Sequence, residues 1–402
     1  NAGWKRDWFR SSIDDLRACR FQRFTDNFVL VGANPGDIDW FDDEGWGNIV
    51  DHWRIAAWIV RQSGIKGILF DPEPYTRPHS QFSYAAQPRK GSHTFKEYAA
   101  KARERGRQVI TAVAKECPDI VLFTYFMNSV CHDAISQPDP GAVLERSGYG
   151  LLPAFIDGWL DAAAPTMTFV DGCESAYRYN SVTEYLEAGN AIRNDCQAFV
   201  SQDNRQKYRA QVQVSFGIYL DAYWNPPASP WYVDGLGGPR VERLRKNVQT
   251  ALRVADEYIW VYGEKNRWWP TSNGSVNKEK WDEALPGSTR ALALSRDPDA
   301  WVRERLAALK AENKLTLLRR MNGEGYGGSR SDTPRLGAGS FTNLARNGGF
   351  SDERCPAVSG AIDEWKEGRS PAGWSSWQED ASKGRFLWDR ETGASGTGCA
   401  MA

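Results

Sequence analysis

Histidine is scarce in this chain of 402 residues: only His52, His79, His93 and His132 occur, and none falls in an HExxH or similar spacing. That argues against a histidine-built metal site. The seven cysteines (Cys19, Cys117, Cys131, Cys173, Cys196, Cys355 and Cys399) contain no CxxC, which excludes a zinc ribbon and a thioredoxin-type redox motif. Their number is odd and their spacing wide. Cys355 and Cys399 are candidates for a disulfide near the C-terminus, the others read as buried thiols, and the compartment cannot be taken from cysteine. Long apolar runs are also missing: stretches such as 68–70 and 120–123 are far too short to cross a bilayer, so no membrane association is expected. Charge of one sign is missing too. Fifty basic residues face 51 acidic ones, giving a net charge of −1 and no bulk attraction to nucleic acid.

Two further absences narrow the chemistry. There is no Gly-x-Ser-x-Gly elbow, which argues against a serine hydrolase. The glycine-rich stretch 235–239 lacks the Lys-Ser/Thr of a phosphate loop and reads as a loop entering the next helix. The sequence has no internal repeat and no low-complexity run. It begins at Asn1, without Met or a signal peptide, as a processed or trimmed product would.

Aromatics, by contrast, are abundant: 18 Trp, 17 Phe and 15 Tyr. Most of such rings fill cores, but aromatics also stack on the C–H faces of sugars and on bases. Without excess positive charge the sugar reading gains over the base reading. A secreted or periplasmic location is expected on that argument alone.

Near-continuous apolar runs stand at 28–33 (FVLVGA), 67–71 (GILFD), 120–126 (IVLFTYF), 167–171 (MTFVD), 212–221 (VQVSFGIYLD) and 258–264 (YIWVYGE). Runs without strict alternation suit strands buried on both faces, as in a parallel sheet. Helical patterns lie between them at roughly 48–63, 94–117, 150–163, 182–210 and 240–255, with another at 301–320. Repeated β-α units of this spacing predict an α/β fold of the (β/α)8 TIM-barrel type. On that count 258–264 is the last barrel strand and 28–33 the third, with the first two absent from or disguised within 1–27. The expected domains are a barrel over 1–330, a Gly/Ser-rich linker at 331–340 and a small all-β segment over 341–402.

In such a barrel the active site lies where the strands end. The run 67–71 leads into Asp71-Pro72-Glu73-Pro74-Tyr75, and 167–171 into Asp171-Gly172-Cys173-Glu174. The run 212–221 ends at Asp221, with Tyr219 and Trp224 nearby, and 258–264 ends at Glu264, followed by Trp268 and Trp269. Asn34 follows the first run, and Arg77 and His79 follow Tyr75. Each acid also has a bland reading. Asp71 is equally placed to cap or orient, Asp171 and Glu174 to cap the helix opening at the capping box Ser181–Glu184, and Trp268-Trp269 to plug a loop. A ring of acids with aromatics nevertheless fits glycoside hydrolysis, where one carboxyl protonates the leaving oxygen and a second attacks or activates water.

On these residues the chain resembles a (β/α)8-barrel glycoside hydrolase, with no single family matched. The Asp71-x-Glu73 pair is similar to the strand-four ending of chitinase-like hydrolases, in which the Glu is the acid and the Asp orients an N-acetyl group. The longer Asp-Gly-x-Asp-x-Asp-x-Glu run is absent here, so the N-acetyl mechanism is not carried over. Near the C-terminus, 347–350 (NGGF) and 371–374 (PAGW) resemble the opening of a galactose-binding-like β-sandwich, a part of such a module. The resemblance implies a glycosidase acting on a poly- or oligosaccharide. Its expected roles are Glu73 as acid, Glu264 or Asp221 as nucleophile or base, and Asp71 as orienter. Asn34, Tyr75, His79, Asp171, Glu174, Tyr219, Trp224, Trp268 and Trp269 would line the sugar site. No cofactor is required, and a structural calcium is compatible. The rival readings are a catalytically dead, lectin-like barrel and a metal-dependent hydrolase using the acids as oxygen ligands.

Overall fold

The computed structural model describes residues 3–32, 38–75, 80–269 and 279–311, and the backbone of three short strands beyond them. The chain divides into two compact units, Asn1–Pro298 and Asp299–Ala402.

In the first unit strands and helices alternate. Helix α1 (Arg10–Ala18) precedes β1 (Phe28–Gly32), and α2 (Asp43–Ser63) leads to β2 (Gly67–Asp71). Then α3 (Phe95–Glu116) leads to β3 (Val121–Thr124), and α4 (Pro140–Arg146) with α5 (Leu152–Ala162) to β4 (Thr168–Asp171). Helices α6 (Val182–Arg193) and α7 (Arg205–Gln211) come before β5 (Val212–Val214) and β6 (Gly217–Tyr219), and α8 (Arg240–Val254) before β7 (Trp260–Tyr262). Local chemistry sets the helix ends. Asp42 caps α2 by accepting from the Gly45 amide, and Gly64 closes that helix in the left-handed region at φ 70°. Capping boxes open α3 (Thr94 with Glu97) and α6 (Ser181 with Glu184).

The strands pair in parallel and in chain order, β1-β2-β3-β4-β5, and β6 pairs with β7. The expected strand 212–221 is therefore two. The amide of Ser215 still reaches Asp171 O (2.9 Å), while Phe216 O already accepts from Trp260 (3.1 Å). The chain thus passes its hydrogen bonds from β4 on one side to β7 on the other. The expected helix 182–210 is likewise broken. Asp157 on α5 accepts from the amide and hydroxyl of Ser201 (3.2 and 3.0 Å) and from Asn204 (2.8 Å), which holds the intervening turn against α5.

Period-two alternation separates two cores. Ile68, Phe70, Leu122 and Phe169 pack with Trp53, Val109 and Trp159 of the helices. Val121, Phe123 and Val170 point the other way, with Phe28, Leu69, Tyr258 and Trp260 against them. Phe28 at the start of β1 meets Tyr258, just before β7, edge to face at 5.9 Å. The inner faces of the first and last strands therefore meet, as a sheet curling on itself requires. This is a parallel α/β fold. Six parallel strand positions occur among the described residues, counting β5 and β6 as one, so the eightfold count is not reached. The strand expected to be third is the first among the described residues, and those ahead of it form helix over Arg6–Ala18 and coil or bends elsewhere.

In the second unit, Ile362–Glu364, Leu387–Asp389 and Cys399–Met401 form an antiparallel sheet with Leu387–Asp389 in the middle. The motifs at 347–350 and 371–374, the linker 331–340 and Cys355 lie outside the described residues, and a second packed sheet is not among the described ones. No helix among the described residues is long and apolar enough to cross a membrane.

Helices α3 and α5 touch at glycines: a Cβ on Gly158 would lie 2.0 Å from Arg103 O, and one on Gly106 2.0 Å from Phe155 O. Gly158→Ala should separate the pair and cost about 1–3 kcal/mol or more of stability, read as a lowered urea midpoint.

Candidate active site

Period two carries side chains from several strands to the inner face at their C-terminal ends. Leu69, Asp71 and Glu73 lie in one register, Phe123 and Tyr125 in another, and Trp260, Tyr262 and Glu264 in a third. Aromatic rings form a continuous patch there. Trp260 stacks on Tyr125 (4.5 Å between centroids, 10° between planes) and donates its indole N–H to Gly172 O at 2.8 Å. Tyr177 stacks on Tyr219 at 5.0 Å and lies 5.2 Å from Trp260 and 6.3 Å from Tyr262. Gly217 leaves room for this packing, because a Cβ there would stand 2.7 Å from Tyr177 Cε1 and 2.8 Å from Trp260 Cζ2.

Carboxyl groups border the patch. Asp71 is buried at the end of β2, and its Oδ1 accepts from the Glu73 amide at 2.9 Å. That bond fixes the turn between Pro72 and Pro74. Glu73 Oε2 in turn accepts from the Tyr75 hydroxyl at 2.5 Å. Burial holds the Asp71 carboxyl above the usual carboxylate range. Glu174 follows β4 and is half-buried, one turn ahead of Tyr177. Its pKa is pushed up to about 8, first by burial and then by the negative charges of Glu73 and Asp71. The Tyr125 hydroxyl is raised to about 12 by burial and by Asp71, Glu174 and Glu73. Glu264, exposed at the end of β7, accepts from the hydroxyls of Tyr219 and Tyr262, at 3.2 Å each. Both of those rings neighbour Tyr177, so Glu73, Glu174 and Glu264 border one aromatic surface.

Two sequence candidates sit differently. Asp221, expected as nucleophile or base, is fully buried and accepts from the amides of Glu264 (2.8 Å) and Lys265 (3.2 Å). It holds the turn after β7 and presents no free face to a substrate. Asp171, expected to contact sugar, is also fully buried, and accepts from the Ser129 amide (3.0 Å), the Ser129 hydroxyl (2.6 Å) and the Cys173 amide (3.2 Å). Buried charges of this kind need such partners, and these two acids have them in the backbone. Trp224 is half-buried, with Lys265 Nζ 5.3 Å from its ring centroid, so that face is taken. Trp268 and Trp269 are exposed beside residues outside the description. Asn34, Arg77 and His79 lie outside the described residues.

The aromatic patch itself was not anticipated. Tyr125, Trp260 and Tyr262 lie in the expected strands 120–126 and 258–264 but outside the expected site, and the alternation Tyr258, Trp260, Tyr262, Glu264 carries the signal. A cleft of about 250 Å³ opens beside the turn that carries Glu174, lined by Ser129, His132, Asp133, Cys173, Ser175 and Tyr179 among others, and none of the rim carboxyls lines it. Among the described residues, no three His, Cys, Asp or Glu groups are placed to hold a metal ion.

No family model matches this chain, and no curated protein matches it. A solved structure similar to it is a sugar phosphate isomerase/epimerase from Parabacteroides distasonis, 12% identical, with 67% of this chain and 71% of that one covered and a TM-score of 0.30. At that TM-score the likeness carries no argument about function.

Asp221→Ala should leave the Glu264 and Lys265 amides without their acceptor. A loss of about 1–3 kcal/mol per unsatisfied amide is expected in denaturant unfolding, and Asp221→Asn should lose less.

Proposed function

We propose that the chain is a glycosidase acting on a poly- or oligosaccharide. The observation that carries this reading is the half-buried Glu174 carboxyl, raised to about 8, facing Glu73 and Asp71 beside an aromatic floor. A carboxyl that keeps its proton and a second carboxylate beside it supply the acid and the base of one reaction. Glu174 is the proton donor to the leaving oxygen. This revises the expected assignment, in which Glu73 was the acid. Glu73, steadied by the Tyr75 hydroxyl, is the carboxylate that attacks the anomeric carbon or activates water. Asp71 orients Glu73 through its amide and helps keep the proton on Glu174. The rings of Tyr125, Trp260, Tyr177 and Tyr262 offer faces for sugar C–H groups. Glu264 would accept from sugar hydroxyls. The chemistry needs no cofactor, so turnover should survive exhaustive chelation; its loss would favour the metal-dependent reading. A glycan substrate is in keeping with a secreted or periplasmic setting.

A panel of polysaccharides assayed for released reducing ends tests the reading. Glu174→Gln and Glu73→Gln should each lower turnover by about 10²–10⁴-fold while glycan affinity is kept. A native chain that binds glycan and releases nothing would be the lectin-like alternative.

The pH dependence has a definite sign. Turnover should fall as pH rises through about 8, where Glu174 loses its proton. Asp71→Asn should move that limb to lower pH, since one of the charges opposing ionisation is gone. Stability follows the same group. Between its ordinary value of 4.5 and about 8 the unfolded chain releases this proton while the folded chain keeps it, so the Glu174 contribution to stability falls as pH rises. The difference in melting temperature between Glu174→Gln and the native chain should therefore grow in favour of the variant across that window.

A further inference from the structure

Asp171 does more than satisfy its own burial. Its Oδ2 accepts from the Ser129 amide at 3.0 Å, and its Oδ1 from the Ser129 hydroxyl at 2.6 Å and the Cys173 amide at 3.2 Å. These donors belong to two separate turns. One follows β3 and carries Tyr125 at its base, and the other follows β4 and carries Glu174. Further backbone bonds join the same turns, from the Gly172 amide to Thr124 O (2.9 Å) and from the Glu174 amide to Tyr125 O (3.2 Å). Between Asp171 and Glu174, Cys173 lies in the left-handed region at φ 40°, ψ 65°. A residue with a side chain is rarely found there unless its surroundings hold it. The Cys173 thiol is buried and pushed up to about 12, so it is no nucleophile. What the turn achieves is to bring Glu174 inward.

We propose that Asp171 is the positioning residue for Glu174: by joining the two turns and holding the left-handed turn at Cys173, it keeps the Glu174 carboxyl half-buried against Glu73, Asp71 and the aromatic patch. This deepens the glycosidase reading and rests on it for its catalytic meaning, but the geometry it describes is independent of turnover. The groups facing Glu174 are Glu73 and Asp71 after β2, Tyr125 after β3, Tyr149 ahead of α5, and Tyr177 in its own turn. Asp171 is not among the charges that raise the Glu174 carboxyl. Its influence runs through position, and removing its charge would not by itself explain a change in the Glu174 titration.

The test is a carbon-13 NMR titration of the glutamate side-chain carboxyls in the full chain, with the Glu174 signal assigned by its loss in Glu174→Gln. In Asp171→Asn the midpoint of Glu174 should fall from about 8 by a unit or more toward the ordinary glutamate range, as the carboxyl relaxes into water. Turnover should drop about 10²-fold with KM within about twofold, the signature of a misplaced reacting group. A folded Asp171→Asn chain in which Glu174 titrates as before overturns the proposal. Should Asp171→Asn fail to fold, Ser129→Ala removes a single bond to Asp171 and should shift the midpoint in the same direction by less; an unchanged midpoint there also overturns it. Because the titration needs no substrate, a native chain that cleaves no glycan would defeat the glycosidase reading while the Glu174 midpoint still decides this one.

Discussion

The arrangement at the strand ends depends on Trp260. Its ring lies flat on Tyr125 beyond β3, its N–H is spent on Gly172 O beyond β4, and Tyr177 packs tilted against it at 5.2 Å. One side chain from the last strand thereby ties the ends of two earlier strands and the turn that carries Glu174. Backbone pairing alone does not do this, since among the described residues the strand that β7 pairs with is β6, not β3 or β4. A large flat ring with one donor suits the task, because its area is buried while its single polar atom finds a carbonyl. The space it occupies exists because Gly217 has no side chain.

Carboxyl groups at these strand ends divide by what surrounds them. Asp171 and Asp221 are fully buried, and each accepts hydrogen bonds from backbone amides of a following turn. They act as fasteners, turning a strand end into a defined loop without any basic side chain. Glu174 is raised first by burial and then by the neighbouring carboxylates Glu73 and Asp71. An acid kept in such company stays protonated near neutrality and retains a proton to give. Carboxyl groups at or just beyond a strand end thus differ by whether amides or carboxylates face them.

Much of the scaffold is legible from the residues alone. Apolar runs mark all six described strand positions, the capping box Ser181–Glu184 marks the start of a helix, and acids follow the strand ends as the sequence shows. Two elements went astray for local reasons. The run 212–221 has unbroken strand character, yet it splits where Ser215 and Phe216 exchange partner strands. The pattern 182–210 reads as one helix, yet Asp157 on α5 draws Ser201 and Asn204 out of it. Both departures come from partners distant in sequence, which periodicity does not register.

The sequence by itself determined the parallel α/β character, the order of the elements and the set of acids available at the rim, because these follow from alternation, capping and the short range of backbone hydrogen bonding. Only the tertiary structure decided what surrounds each acid. Asp171 and Asp221 look as reactive as Glu174 in a string of letters; they differ because folding surrounds the first two with amides and the third with other negative charges. A carboxyl group's affinity for its proton is set by what lies within a few ångströms of it, and those neighbours come from strands far apart in the chain.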